Sequence, residues 1–87
     1  MTSKHRRTLA GIFERPTRKD LRFAAVEALL LGLGAKKKER AGSRVAFILH
    51  GGVLLLHRPH SPVVLRPGAV EDLRDFLASK GITPETT

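Results

Sequence analysis

The chain has 87 residues, contains no cysteine and carries a formal net charge of +8 at neutral pH. This length predicts one domain with a small core, and the lack of cysteine excludes a disulfide framework and a cysteine-based metal site. The excess charge lies in residues 1–44, which hold twelve lysines and arginines against four carboxylates, whereas residues 45–87 hold four of each. A charge confined to half of the chain favours an anionic partner (RNA, DNA or an acidic protein) over a basic surface that only maintains solubility.

No stretch of the sequence has the length and apolar character of a membrane span. The longest apolar run, FAAVEALLLGLGA at residues 23–35, contains a glutamate and is only 13 residues long, whereas a membrane helix needs about 20. The basic N-terminus leads into a stretch with few apolar residues, which is not typical of a signal peptide. We therefore expect a cytoplasmic protein that does not contact a membrane.

Two helices are predicted in the basic half of the chain. Residues 3–14 carry apolar side chains at helical spacing, and Ser3 can cap their N-terminus. Residues 20–33 form a stronger helical pattern, which Asp20 opens and Gly34 ends.

Residues 35–66 carry the signals of strands and turns. The run AKKKER at 35–40 is either an edge strand that its lysines protect or a loop. The runs SRVAFILH and VLLLHR flank the glycine pair 51–52, which is typical of a two-residue hairpin turn because both central residues need a positive φ. Two prolines end the second strand, and SPVVLR at 61–66 can hold a short extended piece.

A last helix is predicted over 67–80, with Pro67 in its first turn and Gly81 beyond its end, where Ile82 can fold back onto it. The order of elements predicts an α+β fold, in which an antiparallel three-stranded sheet carries helices on one face.

A turn at residues 51–52 also predicts which side chains share a face of the sheet. Ala46 then lies opposite His57, and Arg44 lies near Pro59 on the same face. That face also carries the large aliphatic residues Ile48, Val53 and Leu55. We expect the N-terminal helix or a partner to cover it, while the other, nearly all-apolar face forms the core.

The run HRPH at residues 57–60 is the densest histidine cluster. Histidine is a common general acid and base, so His57 and His60 could exchange protons with a ribose 2′-hydroxyl and a leaving oxygen during RNA cleavage. Arg44 or Arg58 could hold the phosphate through two parallel donors. The alternative is a polar strand end that leads into a turn. A zinc site at the two histidines lacks a third ligand, and we expect neither a metal nor another cofactor.

The remaining basic residues are candidates for contact with RNA. The run KKKER is either a solvated edge or a stripe that contacts phosphates, and Ser43 and Ser61 are interpreted as turn residues rather than nucleophiles. The lack of tryptophan and tyrosine disfavours a stacking platform and favours contacts through shape, phosphates and the 2′-hydroxyl. The predicted RNA-contacting residues are Lys36, Lys37, Lys38, Arg40, Ser43 and Arg58.

The motifs LLLGLGA, AGSRVAF, HRPH and RPGAVEDLRDFLASKGI, in this order, resemble the HicA toxins of bacterial toxin–antitoxin systems. The resemblance covers about residues 20–84, and the opening SKHRRTLAGIF resembles an N-terminal extension found in one branch of that family. It implies a single domain over 1–87, with a helical extension at 3–14 and a core at 20–84 that is similar to a double-stranded-RNA-binding domain. It further implies the toxin of a type II system, a metal-independent endoribonuclease that acts on mRNA. A HicB-like antitoxin would neutralise it by covering the active site, and operator DNA would be contacted only through that antitoxin.

The sequence departs from the family at one motif. The usual catalytic histidine follows Gly-Ser at the start of a strand, and Arg44 occupies that position here. Arginine stays protonated near neutral pH and is a poor general base. Three interpretations follow: catalysis moves to His57 or His60, or Arg44 only holds phosphate, or the activity is weak or lost. Our hypothesis is that His57 is the general acid and base with His60 as its assistant, and that Arg44 and Arg58 hold the phosphate. A non-catalytic module that binds RNA or DNA and a protein that only binds a partner remain alternatives.

Overall fold

The computed structural model describes residues 1–86. In this range the chain forms helices α1 (Ser3–Ile12), α2 (Phe23–Gly32) and α3 (Pro67–Ser79), and strands β1 (Lys36–Arg40), β2 (Arg44–Leu49) and β3 (Gly52–His57). The strands make one antiparallel sheet in the order β1-β2-β3. The predicted α+β class is confirmed, and the run KKKER is a strand rather than a loop. None of the helices in residues 1–86 combines the length and the apolar character that crossing a membrane requires.

The N-terminal ends of the first two helices differ from their predictions. Thr2 rather than Ser3 caps α1, because its hydroxyl accepts from the backbone N–H of His5 at 3.1 Å. Asp20 does not open α2, because its carboxylate accepts two hydrogen bonds of 2.7 Å from the guanidinium of Arg18. The α2 helix therefore begins at Phe23, whose N–H donates to the carbonyl of Val63 in the short extended piece that the sequence predicts.

Helices α2 and α3 end in the same way. Gly34 and Gly81 follow their last turns with φ values of 100° and 73°, a conformation that glycine adopts without strain. The next residue then donates its N–H back to the helix, from Ile82 to the Leu77 carbonyl at 2.9 Å in α3. Ile82 is buried by this reversal, so the predicted end of the last helix is confirmed.

Substitution of Gly81 by alanine is expected to lower the free energy of unfolding by about 1 kcal/mol, because a Cβ is strained at positive φ even in open space. Gly68 is a matched control, since its added Cβ also meets open space but its φ is not positive. Gly68→Ala lies inside α3 and is expected to stabilise the protein by several tenths of a kcal/mol, up to about 1. Urea unfolding of both variants measures the contrast, and equal shifts would show that φ does not set the cost.

The hairpin turn differs from its prediction. Leu49 pairs with Gly52, so the two turn residues are His50 and Gly51, with φ values of 48° and 77°. The prediction of a turn at 51–52 is wrong, because Gly52 pairs with Leu49 and belongs to β3. A Cβ at Gly52 would lie 2.6 Å from Cε of Lys80, the flexible end of that side chain, and 3.1 Å from Cε1 of Phe76, so a larger residue there would have to displace the lysine.

The corrected turn changes the cross-strand pairs and leaves the faces unchanged. Arg44 lies directly opposite His57 instead of near Pro59, and Ala46 lies opposite Leu55. The pairing differs from the prediction by two residues, from Pro59 to His57 opposite Arg44, and a shift by an even number keeps alternate residues on their predicted side of the sheet. The juxtaposition of Arg44 with His57 is therefore closer than the sequence predicts.

The core lies between the helices and one face of the sheet. The residues of β2 and β3 on that face are 0–6% exposed, as predicted, and they are Val45, Phe47, Leu49, Leu54 and Leu56. Helix α1 adds Leu9 and Ile12 to the same core. Since its apolar stripe is used there, α1 does not cover the opposite sheet face. Coverage by the N-terminal helix is therefore wrong, and coverage by a partner stays a prediction.

A buried arginine links α3 to the end of α1. Arg74 is 5% exposed, and its guanidinium donates to the carbonyls of Ile12 and Glu14 and to the hydroxyl of Thr17 at 3.0–3.2 Å. The carbonyls at the C-terminal end of a helix lack partners within the helix and carry partial negative charge. Arg74 donates hydrogen bonds to these carbonyls, which explains a buried cation that forms no ion pair with a carboxylate of residues 1–86.

Candidate functional site

The sheet face that points away from the helices, here called the outer sheet face, is open. Val53 and Leu55 are 61% and 50% exposed there. The face holds three cross-strand rows: Lys36, Ile48 and Val53; Lys38, Ala46 and Leu55; Arg40, Arg44 and His57. None of these nine residues is acidic. Seven of them are exposed, whereas Ile48 is half-buried and Ala46 is buried, so the open part of the face is formed by cations, His57, Val53 and Leu55.

The third row brings together two predicted site residues. Arg44 and His57 are directly opposed, and Arg40 flanks Arg44 on the other side. The Nε of Arg44 donates to the Ala41 carbonyl at 3.0 Å, which holds the base of the guanidinium in place. The two terminal nitrogens of the Arg44 guanidinium are then left to donate two parallel hydrogen bonds to a phosphate.

Ser43 has a structural role beside this row. It lies in the turn between β1 and β2 with a φ of 62°, and its carbonyl accepts from the backbone N–H of Arg58 at 2.8 Å. The interpretation of Ser43 as a turn residue is therefore confirmed. Its carbonyl also holds the chain in place just beyond the end of β3.

An open cavity of about 920 Å³ is lined by both His57 and His60. Its walls are the end of β3, residues 59–66 and the first turn of α3. Both histidines are exposed, so their imidazoles can meet a ligand from solvent. Arg44 does not line this cavity and reaches it only through its partner His57.

The same cavity contains two cations that the sequence did not single out for function. Lys19 and Arg66 line it together with one carboxylate, Asp72. The first turn of α3 also faces it, and the backbone N–H groups there have no helical partner. Two features of the sequence could have pointed to these residues. Lys19 lies in a basic connector, and Arg66 directly precedes the Pro-Gly start of a helix.

Two of the predicted RNA-contacting cations lie on the helix side of the sheet instead. Lys37 contacts Glu27 of α2 at 2.9 Å, and Arg58 makes two hydrogen bonds of 3.0 Å with Glu39. The Arg58 guanidinium also lies 5.5 Å from the centre of the Phe23 ring. Lys37 and Arg58 thus belong to an ion network that joins β1 to α2 and to the end of β3, and they are separated from the outer sheet face.

The network shifts the protonation of its members. Hydrogen bonds from Arg58 hold the pKa of Glu39 below its usual value, and the hydrogen bond to Glu27 raises the pKa of Lys37. Because the pKa of Glu39 is lower in the folded protein than in the unfolded chain, its ionised carboxylate stabilises the fold above the unfolded value, near 4.5. This stability is lost as the pH falls through the lower pKa of the folded protein. A raised lysine pKa contributes stability that is lost only as the pH rises past 10.5.

Replacement of Glu39 by glutamine is therefore expected to destabilise the protein at neutral pH but not in acid, where the wild-type carboxylate is itself protonated. Urea midpoints of both proteins, measured from about pH 7 to about pH 3, should converge as the pH falls. Glu85→Gln, at an exposed position outside the network, is the control and should show no convergence. A difference between Glu39→Gln and wild type that stays constant over this range would contradict the assignment.

Within residues 1–86 no three His, Cys, Asp or Glu side chains are grouped so that they could hold a metal ion. Comparisons of this chain with protein-family models, with curated proteins and with solved structures find no match. The functional argument therefore depends on the outer sheet face and the adjoining cavity.

Proposed function

We propose that the chain is an RNA-binding endoribonuclease of the HicA-like class, built on a fold similar to a double-stranded-RNA-binding domain, and the toxin of a type II toxin–antitoxin system. The observation that supports this most directly is the row formed by Arg40, Arg44 and His57, beside a cavity that also holds His60. The two arginines lie beside one imidazole, and a second imidazole lines the adjoining cavity, so phosphate binding and proton transfer can take place side by side. That combination is what cleavage of RNA by its own 2′-hydroxyl requires.

The outer sheet face is the proposed binding surface for the RNA backbone. Lys36, Lys38 and Arg40 alternate along β1 and are therefore about 7 Å apart along the strand. All three are exposed, and no carboxylate shares their face. These cations can contact successive phosphates and release the counterions bound there. The resulting contribution to the binding free energy does not depend on base sequence. The aliphatic residues of the same face suit contact with sugars and bases by shape.

His57 and His60 are the proposed acid and base of the cleavage reaction. One imidazole takes the proton of the ribose 2′-hydroxyl, whose oxygen attacks the adjacent phosphorus, and the other gives a proton to the departing 5′-oxygen. We assign the central role to His57, because it opposes Arg44, and the assisting role to His60. The terminal nitrogens of Arg44 hold the non-bridging oxygens, on which negative charge grows. No step in this scheme requires a metal ion.

A HicB-like antitoxin is the partner that this proposal implies. The support is the open outer sheet face, where exposed Val53 and Leu55 lie beside cations that an acidic protein would complement. Repression of an operon would reach DNA through that antitoxin rather than through this chain.

A non-catalytic module that binds RNA is the second candidate. The observation that favours it is that, among residues 1–86, neither His57 nor His60 has a side-chain hydrogen bond that would orient its imidazole. A catalytic histidine is commonly oriented by a third group, so this arrangement is also compatible with binding alone. Cleavage products distinguish the two candidates.

Replacement of Lys36, Lys38 and Arg40 together by glutamine is expected to weaken RNA binding and to reduce the slope of log K against log salt by about 2–3, because each lost phosphate contact removes about 0.7–0.9. Fluorescence anisotropy at several salt concentrations measures both quantities. The matched control removes the same charge from exposed cations of α1, Lys4, Arg6 and Arg7. If the control reduces the slope as much as the β1 variant does, the outer sheet face is not the RNA site.

A further inference from the structure

The two edges of the sheet are unequal. The edge strand β1 consists only of charged residues, which discourage pairing with another strand. The opposite edge strand, β3, has the sequence GVLLLH and carries no lysine, arginine, carboxylate or proline. An exposed apolar edge of this kind is a template for an additional strand.

The hairpin geometry identifies the backbone groups that β3 offers. Leu49 and Gly52 close a two-residue turn, so they form a hydrogen-bonded pair, and such pairs alternate with non-bonded ones. The non-bonded positions of β3 are Val53, Leu55 and His57, whose N–H and C=O groups point away from β2. Within residues 1–86 these groups make no backbone hydrogen bond outside the sheet. The edge therefore presents three free donors and three free acceptors beside exposed side chains.

A groove continues this edge. The cavity beside His57 has Leu55 and Leu56 on one wall, and prolines and aliphatic residues from 59–65 on the other. Cations lie at both ends of β3: Lys80 beside Gly52 at one end, and Arg44, Lys19 and Arg66 near His57 at the other. Asp72 is the one carboxylate in the cavity wall. The surroundings of the edge are thus apolar along its length and predominantly positive at its ends.

We propose that the β3 edge binds an extended acidic segment of a protein partner, which adds to the sheet as a fourth strand. The free backbone groups supply the hydrogen bonds, the groove accepts apolar side chains, and the cations at both ends select carboxylates. A second copy of this chain fits less well, because it would bring the same cations into apposition with only Asp72 of the cavity wall to offset them. The proposal rests on the geometry of the sheet edge and not on RNA cleavage.

A synthetic peptide of about eight alternating valine and glutamate residues is the probe, with the full chain as its target. We expect binding that shifts the backbone amide signals of Val53, Leu55 and His57 in NMR spectra and slows their hydrogen exchange. The same peptide with methylated backbone nitrogens keeps its charge and side chains but loses its donors, and should bind at least about tenfold more weakly. A peptide with lysine in place of glutamate should also bind more weakly.

Two matched variants locate the site on the protein. Leu55→Asp and Leu31→Asp make the same chemical change at residues of similar exposure, 50% and 45%, but Leu31 lies on α2. Only Leu55→Asp should weaken binding of the glutamate peptide, by about tenfold, because its carboxylate repels the peptide at the edge.

Several results would overturn the proposal. They are equal binding of the methylated peptide, equal loss in the two variants, and protection of the three amides by self-association in the absence of peptide. Equal protection of these amides by an RNA oligonucleotide would assign the edge to nucleic acid instead. RNA cleavage is measured on the same preparation, so a chain that cleaves RNA but ignores the peptide contradicts only the strand-addition site.

Discussion

Replacement of His57 by alanine is expected to lower the rate of RNA cleavage by about 10²–10⁴-fold, the usual contribution of a positioned acid or base. The expectation follows from its place opposite Arg44 and beside the cavity that contains His60. Cleavage of an end-labelled RNA with enzyme in excess measures the chemical step directly. Binding of the same RNA should change far less than its cleavage, because lysines and arginines make most of the proposed contacts with phosphates.

The hairpin turn supplies a matched control for this variant. His50 is exposed and lies in the turn with a φ of 48°, which asparagine tolerates well, so His50→Asn removes an imidazole without disturbing the backbone. It should cleave RNA like the wild-type chain. Equal losses in the two variants would indicate a general effect of losing a histidine. If His57→Ala, His60→Ala and Arg44→Ala all cleave like the parent, the catalytic site lies elsewhere.

Replacement of Arg74 by methionine is expected to lower the free energy of unfolding by roughly 3 kcal/mol, because a hydrogen bond to a charged group is worth about 1.5–3 kcal/mol and buried carbonyls are left without a donor. Methionine keeps the apolar stem of the side chain, so the loss reports mainly on the bonds to Ile12, Glu14 and Thr17. Urea unfolding followed by circular dichroism measures it.

Arg7→Met is the control for Arg74, because Arg7 is exposed on α1. Its effect should stay within about 0.5 kcal/mol. A similar small effect at Arg74 would show that the link between α3 and the end of α1 does not stabilise the fold.

Local sequence patterns predict most of the helices and strands, because their causes are local. The ends of α2 and α3 follow from Gly34 and Gly81, which supply the positive φ that each reversal requires. Strand β1 is different, since KKKER contains no apolar residue that could mark a buried face. It forms a strand because β2 offers it a partner and because Lys37 bonds to Glu27 on α2, and neither contact is visible in the run itself.

The hairpin shows where local patterns fail. The glycine pair correctly predicts a tight turn, but Gly52 pairs with Leu49 and lies in β3, so only Gly51 belongs to the turn. His50 then adopts the positive φ. The shared face of Arg44 and His57 could still be predicted, because alternation along a strand survives this change.

The cavity beside His57 could not be predicted from the sequence. It exists because residues 59–66 turn back and pair with the segment before α2, through the bridge between Arg22 and Val64. This long-range pairing brings Lys19 and Arg66 to the histidines. The separation of Lys37 and Arg58 from the other cations has a similar origin, since their carboxylate partners come from α2 and β1.

The most direct test of the proposed function is the chemical identity of the RNA ends after incubation with the purified chain in the presence of EDTA. Attack by the 2′-hydroxyl predicts fragments that end in a 2′,3′-cyclic phosphate and begin with a 5′-hydroxyl, and it predicts that an RNA with a single 2′-deoxy substitution at the cleaved position stays intact there. RNA that binds to the chain but remains uncut, or that is cut equally well at the deoxy position, would contradict the account.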